Sequence, residues 1–412
     1  ELFASILGSV ALLLWGVRMV RTGMTRAFGT ALRHILTTHV RTKGAAFLAG
    51  LGVTGLLQSS TATALLLASF AARGLIVLPI ALIMMLGANV GTTLAAQIFS
   101  FDIIWLWTLA VGIGVFTFMA AEGDKVRAVA RISIGLGLML LSLYHLRVAA
   151  QPLRDSPVFA SVLTGLAGAA IFGFILATAA TWLMHSSLTM VLLVMALAAG
   201  HVIPMPLAFA LVLGANVGGA VAPMTGLTSS PPAAKRVAVG NLIMRAAIAI
   251  PMILLVKPAA DLFAMVEADQ ARMVVNFHTA FNIAGALILL PLTGLFSKLT
   301  TYLLPDIPEA ADSTKPRHLD PHVLDTPSEA LACALRETLH MGDRVADMLR
   351  QALVVFEKSD AKLVKEVEKS DNVVDELHEA IKLYLVKASK AEMTDEESRR
   401  HAEILTFTTN LE

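Results

Sequence analysis

Long apolar runs separated by short polar interruptions fill the first three quarters of the chain. A helix needs about 20 apolar residues to cross a hydrocarbon core of about 30 Å, and seven runs approach or reach that length. They cover residues 2–20, 75–98, 102–121, 131–150, 202–223, 237–256 and 273–300. This pattern predicts an all-α, polytopic membrane protein.

Two apolar segments depart from this pattern because a polar cluster interrupts each of them. The first has apolar arms at residues 44–57 and 61–72, on either side of Gln58-Ser59-Ser60. At 1.5 Å per residue each arm reaches only about 20 Å, too short to cross the membrane. Short arms with a polar tip indicate a re-entrant helical hairpin, and the segment around His185-Ser186-Ser187 is interpreted in the same way.

The chain also resembles itself at an offset of 127 residues. This offset aligns Ser59-Ser60 with Ser186-Ser187, and Gly-Ala-Asn-Val-Gly at residues 87–91 with the same five residues at 214–218, without a gap. With three crossings and one hairpin per copy, the second copy enters the membrane from the opposite side. The sequence therefore predicts two repeats of inverted topology.

Composition separates this apolar body from a hydrophilic tail. Hydrophobic residues make up 56% of the chain, too many for a soluble protein of 412 residues, and only eight of the 31 acidic residues precede Leu304. A stretch rich in Pro and Asp separates the two parts and is typical of a linker. The expected divisions are repeat 1 at residues 1–127, repeat 2 with additional helices at 128–304, the linker at 305–327 and a helical tail at 328–412.

Loop cations predict the orientation. Most of them fall on one side of the predicted threading, and the positive-inside rule places that side, with the tail, in the cytoplasm and the N-terminus outside. This larger set is Arg21, Arg26, Arg33, Arg41, Lys43, Arg73, Lys125, Arg127, Lys235, Arg236 and Lys298, and the opposing set is Arg154, Lys257 and Arg272. No basic patch alternates with aromatic residues, so nucleic acid is not an expected partner, whereas membrane lipid is.

The hydroxyl and amide groups at the two hairpin tips predict an anion site. If each serine pair begins the second arm of its hairpin, two helix N-termini meet near the membrane midplane. Their free N–H groups and positive dipole ends favour an anion. The alternative is that these hydroxyls bond back to helix carbonyls or pack between close helices.

The two Gly-Ala-Asn-Val-Gly runs are candidate cation sites. Glycines that flank an amide allow local unwinding, which would expose carbonyl oxygens together with Asn89 and Asn216 to a hard cation such as Na⁺. Glycines that permit close helix crossing are an alternative of equal weight for a single copy, whereas two copies at one offset favour a functional role. Since no Asp or Glu lies deep within a predicted span, Na⁺ coupling is favoured over a proton relay.

Further polar residues within or near the predicted spans are accessory candidates: His185, Arg245, Asn276, His278 and Asn282. Arg245 either faces an anion or pairs with a carbonyl. His185 can titrate or serve as a hydrogen-bonding core residue. For the other three, hydrogen bonding between helices is the simpler interpretation.

Together these residues resemble the type II sodium-phosphate cotransporter family, including bacterial members with a PhoU-like tail. The motifs are Gln58-Ser59-Ser60 with Thr61-Ala62-Thr63, the paired Gly-Ala-Asn-Val-Gly runs, and Asn276-Phe277-His278-Thr279 with Phe281-Asn282. The resemblance implies a transporter and not an enzyme: a symporter of Na⁺ and inorganic phosphate that works by alternating access in the bacterial inner membrane. It implies no cofactor beyond the coupling ion, and the oligomeric state stays open, with a homodimer as one candidate.

Site residues follow from the resemblance position by position. The implied phosphate ligands are Gln58, Ser59, Ser60, Ser186 and Ser187, and the implied sodium ligands are Thr61, Thr63, Asn89, Thr92, Asn216 and Thr189. The chain departs from the family pattern at His185 and Leu188, at Gly219-Ala220 opposite Thr92-Thr93, and at Arg245 where Asn is expected. These departures leave the Na⁺ stoichiometry and the exact substrate open.

Other functions are weighed against this one. Helix N-termini and hydroxyls do not by themselves separate phosphate from another oxyanion such as sulfate, and a non-transporting membrane phosphate sensor would share the same site. A serine hydrolase using Ser59 or Ser186 beside His185 is disfavoured, because the first hairpin has no equivalent histidine.

The tail resembles the start of a PhoU-like bundle whose third helix is expected to be cut short. Its apolar positions recur at helical spacing: Leu331, Leu335, Leu339, Val345, Met348, Leu349 and Leu353. Glu368, Asp371 and Asp375 share one helix face, where a solvated acidic surface is favoured over a metal site.

Overall fold

The chain folds into helices that form two compact units, Glu1–Asp306 and Ile307–Glu412. The computed structural model describes residues 2–38, 42–101, 103–154, 170–228, 230–306, 316–324, 326–358, 361–391 and 393–412. The loop cation Arg41 and the linker residues 307–315 and 325 lie outside these ranges.

The described helices of the first unit are α1 (Leu2–Thr38), α2 (Lys43–Leu57), α3 (Ser60–Ala72), α4 (Leu78–Phe99), α5 (Trp107–Ala120), α6 (Asp124–Arg154), α7 (Ala170–Met184), α8 (Ser187–Ala199), α9 (Met205–Gly226), α10 (Pro232–Ile253), α11 (Val256–Ala264), α12 (Gln270–Leu289) and α13 (Thr293–Leu303). Those of the second unit are α14 (Pro327–Lys358), α15 (Ala361–Ala388) and α16 (Asp395–Leu411). Short 3-10 turns lie at Ile104–Leu106 and Pro321–Val323.

Six helices in the described ranges are long and apolar enough to cross a membrane: α1 (over Leu2–Gly29), α4, α6 (over Asp124–Pro152), α9, α10 and α12. Together with the helices listed above, they confirm the prediction of an all-helical membrane protein. The apolar run at 102–121 is shorter as a helix than expected, because a 3-10 turn takes up its start and leaves α5 with 14 residues.

Two other predicted spans end at different places from those expected. The run at 273–300 divides at residues 290–292, where Pro291 lacks the backbone donor that would continue α12. In contrast, α1 continues far beyond residue 20, because no proline interrupts it. Arg21 and Arg26 therefore lie within a helix and not in a loop.

Helix boundaries in the two halves repeat at the offset seen in the sequence. The helices α3 and α4 contain 13 and 22 residues and begin at Ser60 and Leu78, and α8 and α9 have the same two lengths and begin 127 positions later. The helices α2 and α7 end 127 positions apart, at Leu57 and Met184. The arms expected at 44–57 and 61–72 each begin one residue earlier as helices. The inverted orientation of the second copy in a membrane stays a prediction.

The glycines of the two Gly-Ala-Asn-Val-Gly runs serve close helix crossing. Both runs lie within unbroken helices, α4 and α9, so the expected local unwinding is wrong. A Cβ added to Gly87 would lie 1.9 Å from the Phe47 carbonyl oxygen, and one on Gly214 would lie 2.3 Å from that of Phe174. Without side chains at these positions, α4 packs directly on the backbone of α2, and α9 on that of α7.

The second unit is a helical bundle with its own core, which includes Leu331, Leu377 and Ile404. Of the apolar positions that recur at helical spacing, Leu339, Leu349 and Leu353 are exposed. Periodicity alone overstated the width of the apolar face of α14. Glu368, Asp371 and Asp375 are also exposed, as expected of a solvated acidic face.

Candidate functional site

Each predicted serine pair begins a helix at a tip between two short helices. Ser59 is the N-cap of α3 and its hydroxyl oxygen accepts from the Ala62 N–H at 3.2 Å, and Ser186 caps α8 by accepting from the Thr189 N–H at 3.2 Å. The residue before each serine has a left-handed backbone, with φ of 52° at Gln58 and 53° at His185. This matching geometry turns the chain so that both helix N-termini present free N–H groups.

One cavity of about 300 Å³ is lined by both tips. The predicted residues that line it are Gln58, Ser59, Ser60, Thr61, His185, Ser186 and Ser187. The amide oxygen Oε1 of Gln58 is buried and has no hydrogen-bond partner among the described residues. The cavity therefore combines two helix N-termini and several hydroxyls, a set suited to an anion, and Gln58 borders it with an amide whose oxygen is unpaired.

Two arginines of α1 also line this cavity, Arg18 and Arg21. The sequence analysis ended the first span at residue 20 and so assigned Arg21 to a loop, and it did not single out Arg18, which lies within that span. The continuous α1 instead carries both cations past the serine tips, where they add positive charge to a site that already favours an anion. Their three-residue spacing on an apolar helix was the available signal, because it places both on one face.

A second polar cluster is buried between α4, α9, α10 and α12 and forms a separate group from the cavity lining. We call it the asparagine layer, and it consists of Asn89, Asn216, Asn241, Arg245, His278 and Asn282. Asn282 Nδ2 donates to Asn216 Oδ1 at 3.1 Å, and Asn89 Nδ2 donates to Asn241 Oδ1 at 3.2 Å. Polar side chains from four helices thus hydrogen-bond to one another in the protein interior.

Arg245 joins the two repeats within the asparagine layer. Its Nη1 donates to the main-chain carbonyl oxygen of Asn216, and its Nη2 donates to Oδ1 of Asn89. Only 5% of the residue is exposed. Of the two interpretations offered for Arg245, contact with a carbonyl oxygen is observed, and a role toward an anion stays a prediction.

The remaining predicted residues hydrogen-bond to groups outside the cavity lining and the asparagine layer or to their near neighbours in the chain. Thr63 Oγ1 is 2.7 Å from Thr54 Oγ1, and Thr189 Oγ1 is 2.8 Å from Ser186 Oγ. Thr92 donates to the Ala88 carbonyl oxygen at 3.1 Å. Asn276 lies apart from both groups and accepts from Gln97 Nε2 at 3.1 Å, which fits the interpretation of hydrogen bonding between helices.

Comparison with known proteins adds to this geometry. The Na⁺/Pi-cotransporter family matches residues 12–147, and the PhoU domain matches residues 338–412. Over 407 residues the chain is 37% identical to the "Putative inorganic phosphate export protein YjbB" of Escherichia coli, an alignment that covers 99% of this chain and 75% of that protein.

Other relatives extend the comparison. A protein of the same name from Salmonella typhimurium is 38% identical over 407 residues, with 75% of its length covered. "Uncharacterized protein YqeW" of Bacillus subtilis is 26% identical over 292 residues, which cover 70% of this chain and 94% of that protein. No solved structure matches.

Proposed function

Because the chain belongs to the Na⁺/Pi-cotransporter family, we propose that it carries inorganic phosphate across the membrane by alternating access. It is a transport protein and not an enzyme. The proposed phosphate ligands are Gln58 and the serine pairs 59–60 and 186–187. The observation that carries this proposal is the single cavity lined by both serine tips.

The charge and donor set of the cavity supports an anion as its ligand. The N-termini of α3 and α8 supply N–H groups, and Arg18 and Arg21 border the same space. Helix N-termini and arginine side chains are the groups that proteins use most often for oxyanions. Ligands contributed by two separate hairpins also suit alternating access, because a relative movement of the hairpins would expose the anion to one side at a time.

Turned toward the cavity that Gln58 lines, its unpaired Oε1 would favour phosphate over sulfate. At neutral pH phosphate retains at least one O–H group that can donate to this oxygen, whereas sulfate retains none. A site with a buried acceptor discriminates strongly against a ligand that leaves the acceptor unpaired. Competition by sulfate and by arsenate, which is also protonated, would distinguish the two: arsenate is expected to inhibit phosphate flux and sulfate is not.

We also propose Na⁺ as the coupling ion. The family name supports it, and Thr61, Thr63 and Thr189 offer neutral hydroxyl oxygens at or beside the tips. Asn89 and Asn216 are weaker candidates, since Arg245 donates to the Asn89 side chain and to the Asn216 carbonyl oxygen. Thr92, whose hydroxyl donates to the Ala88 carbonyl oxygen, stays a candidate. Neutral ligands leave the charge of a bound cation uncompensated until an anion arrives, which gives an electrostatic reason for the two ions to bind together.

Flux into proteoliposomes tests the function. Purified chain is reconstituted, and uptake of radiolabelled phosphate is measured with an inward Na⁺ gradient and again with K⁺ in place of Na⁺. Saturable flux above that of empty liposomes is expected, with faster uptake in Na⁺. Saturable phosphate binding without any flux would favour the membrane sensor, and equal flux in K⁺ would contradict Na⁺ coupling.

Outward transport is a second candidate, because the relatives from Escherichia coli and Salmonella typhimurium are named as export proteins. It is tested with proteoliposomes preloaded with labelled phosphate, from which efflux is followed with no Na⁺ on either side. Efflux at a rate similar to that in Na⁺ would favour export down the phosphate gradient.

The proposed placement follows the positive-inside prediction: bacterial inner membrane, N-terminus outside and tail in the cytoplasm, with repeats at residues 1–127 and 128–304. Protease digestion of the tail in inside-out vesicles, but not in right-side-out vesicles, is the expected result.

A further inference from the structure

The guanidinium group of Arg245 lies between the two asparagines at the centres of the repeated Gly-Ala-Asn-Val-Gly runs. It donates to a side-chain oxygen of Asn89 and to the main-chain oxygen of Asn216. Neutral carbonyl oxygens of this kind are the ligands that a hard cation prefers. The oxygens expected to hold Na⁺ are therefore already in contact with a positive charge that belongs to the protein.

This positive charge has no acidic partner in the described part of the chain. The other buried arginine of α10, Arg236, is paired with Asp306 at 2.7 Å, whereas the acceptors of Arg245 are neutral. Nε of Arg245 also has no hydrogen-bond partner among the described residues. A buried charge held only by dipoles is costly, and an anion bound nearby would offset part of that cost.

Gly219 makes the room that this arrangement needs. Its counterpart in the first repeat is Thr92, and a Cβ added at position 219 would lie 2.9 Å from Ser187 Cβ and 3.4 Å from Arg245 Nη1. A threonine there would displace either the guanidinium or the serine of the second tip. Compared with the first repeat, the second therefore lacks a hydroxyl at position 219 and carries the fixed charge of Arg245 in the space beside it.

We infer that Arg245 is a tethered cation that takes the place of one coupling Na⁺ in the asparagine layer. The inference rests on the proposed phosphate transport and removes Asn89 and Asn216 from the proposed sodium ligands, while the threonines stay. A sodium ion would cross the membrane with phosphate, whereas a guanidinium group remains with the protein. Phosphate binding should therefore take up one Na⁺ fewer than it would with a neutral residue at position 245.

The Na⁺ dependence of phosphate binding tests this directly. Binding of radiolabelled phosphate to the full purified chain is measured over a range of NaCl concentrations, with N-methylglucamine chloride keeping the ionic strength constant. The slope of log Kd against log Na⁺ concentration counts the sodium ions taken up with phosphate. Arg245→Asn is expected to steepen this slope by about one, so that each tenfold rise in Na⁺ tightens binding by about tenfold more than in wild type.

Three variants sharpen the comparison. Arg245→Lys keeps the positive charge and is expected to retain the wild-type slope. Arg245→Asn combined with Gly219→Thr places at position 219 the hydroxyl that Thr92 carries in the first repeat. Compared with Arg245→Asn alone, this double variant is expected to show the same steeper slope beginning at lower Na⁺ concentrations. Arg236→Gln removes a buried charge from the same helix, outside the asparagine layer, and should leave the slope unchanged.

An unchanged slope in a folded neutral variant would overturn the inference and leave Arg245 as a structural link between repeats. Folding is checked by gel filtration and thermal unfolding, and Arg245→Gln replaces Arg245→Asn if the latter is not monodisperse. An unchanged slope is distinguishable from failure of the proposed function. If the proposed function failed, wild-type chain would show neither saturable phosphate binding nor flux in any cation.

Discussion

Replacing Gly87 by alanine should separate the two meanings of the Gly-Ala-Asn-Val-Gly run. The new Cβ would lie 1.9 Å from the Phe47 carbonyl oxygen, and the neighbouring atoms are backbone, so α2 and α4 must move apart. Overpacking of this kind costs typically 1–3 kcal/mol or more. Alanine recovers about 0.5–1 kcal/mol of helix propensity, so a net loss of about 1–2 kcal/mol is expected. If the glycine served only local unwinding, alanine would instead stabilise the helix.

Gly52→Ala in α2 is the matched control, because a Cβ there meets no atom within 4 Å. It should raise the free energy of unfolding by up to about 1 kcal/mol through helix propensity alone. Thermal unfolding of both variants in one detergent, followed by the fluorescence of the four tryptophans, measures the difference. At about 2–4 °C per kcal/mol, Gly87→Ala should melt several degrees below Gly52→Ala. Equal melting temperatures would refute the close-crossing explanation.

Three further predictions concern the hairpins and the cavity. Ser59→Ala and Ser186→Ala should each cost about 1 kcal/mol of stability through loss of the N-cap, and weaken phosphate binding by about tenfold or more. Ser133→Ala is the control, because the Ser133 hydroxyl donates to the Ala110 carbonyl oxygen away from both tips. Wild-type phosphate affinity in both cap variants would contradict the proposed phosphate site. Arg18→Gln removes a charge that lines the cavity and should weaken phosphate binding more at low than at high salt. Arg26→Gln, on the same helix but outside the lining, should leave phosphate binding unchanged, and titrations at two ionic strengths measure the difference. Thr54→Val removes the hydrogen bond between the hydroxyls of Thr54 and Thr63 and should lower the melting temperature. Thr181→Val, at the equivalent position of the second repeat, removes a buried hydroxyl that has no partner in the described residues and should raise the melting temperature. Equal shifts in the two variants would contradict this.

Much of the fold could be predicted from the sequence where a local physical rule decides the outcome. Short apolar arms on either side of a serine pair predict two helices, the second of them capped by a serine. The observed starts of these helices differ from the predicted starts by one residue. The offset of 127 residues could be read directly from the repeated motifs. Helix ends within uniformly apolar runs were less predictable, because hydropathy does not report where a 3-10 turn or a proline break falls, as at Ile104–Leu106 and Pro291.

The candidate site was predictable to a similar degree. The tips and their serines follow from pattern and capping, whereas the approach of α1 to those tips is a tertiary contact with no local signal. For the same reason Arg18 could not be placed at the cavity. The glycine runs illustrate a real ambiguity, since unwinding and close crossing both require glycine. Only the short distance between two backbones decides between them.

The tethered charge proposed for Arg245 would connect Na⁺ coupling with the direction of transport. A Na⁺ ion that enters down a tenfold gradient contributes about 1.4 kcal/mol, and a membrane potential of 100 mV adds about 2.3 kcal/mol for its charge. Each coupled Na⁺ thus biases phosphate inward by roughly 3.7 kcal/mol, equivalent to a several-hundred-fold phosphate gradient. Replacing one mobile Na⁺ by an arginine that stays in the protein removes that bias from every cycle. Under the proposed Na⁺ coupling, outward movement of phosphate is then opposed by that much less, so an arginine in the asparagine layer is expected to favour export.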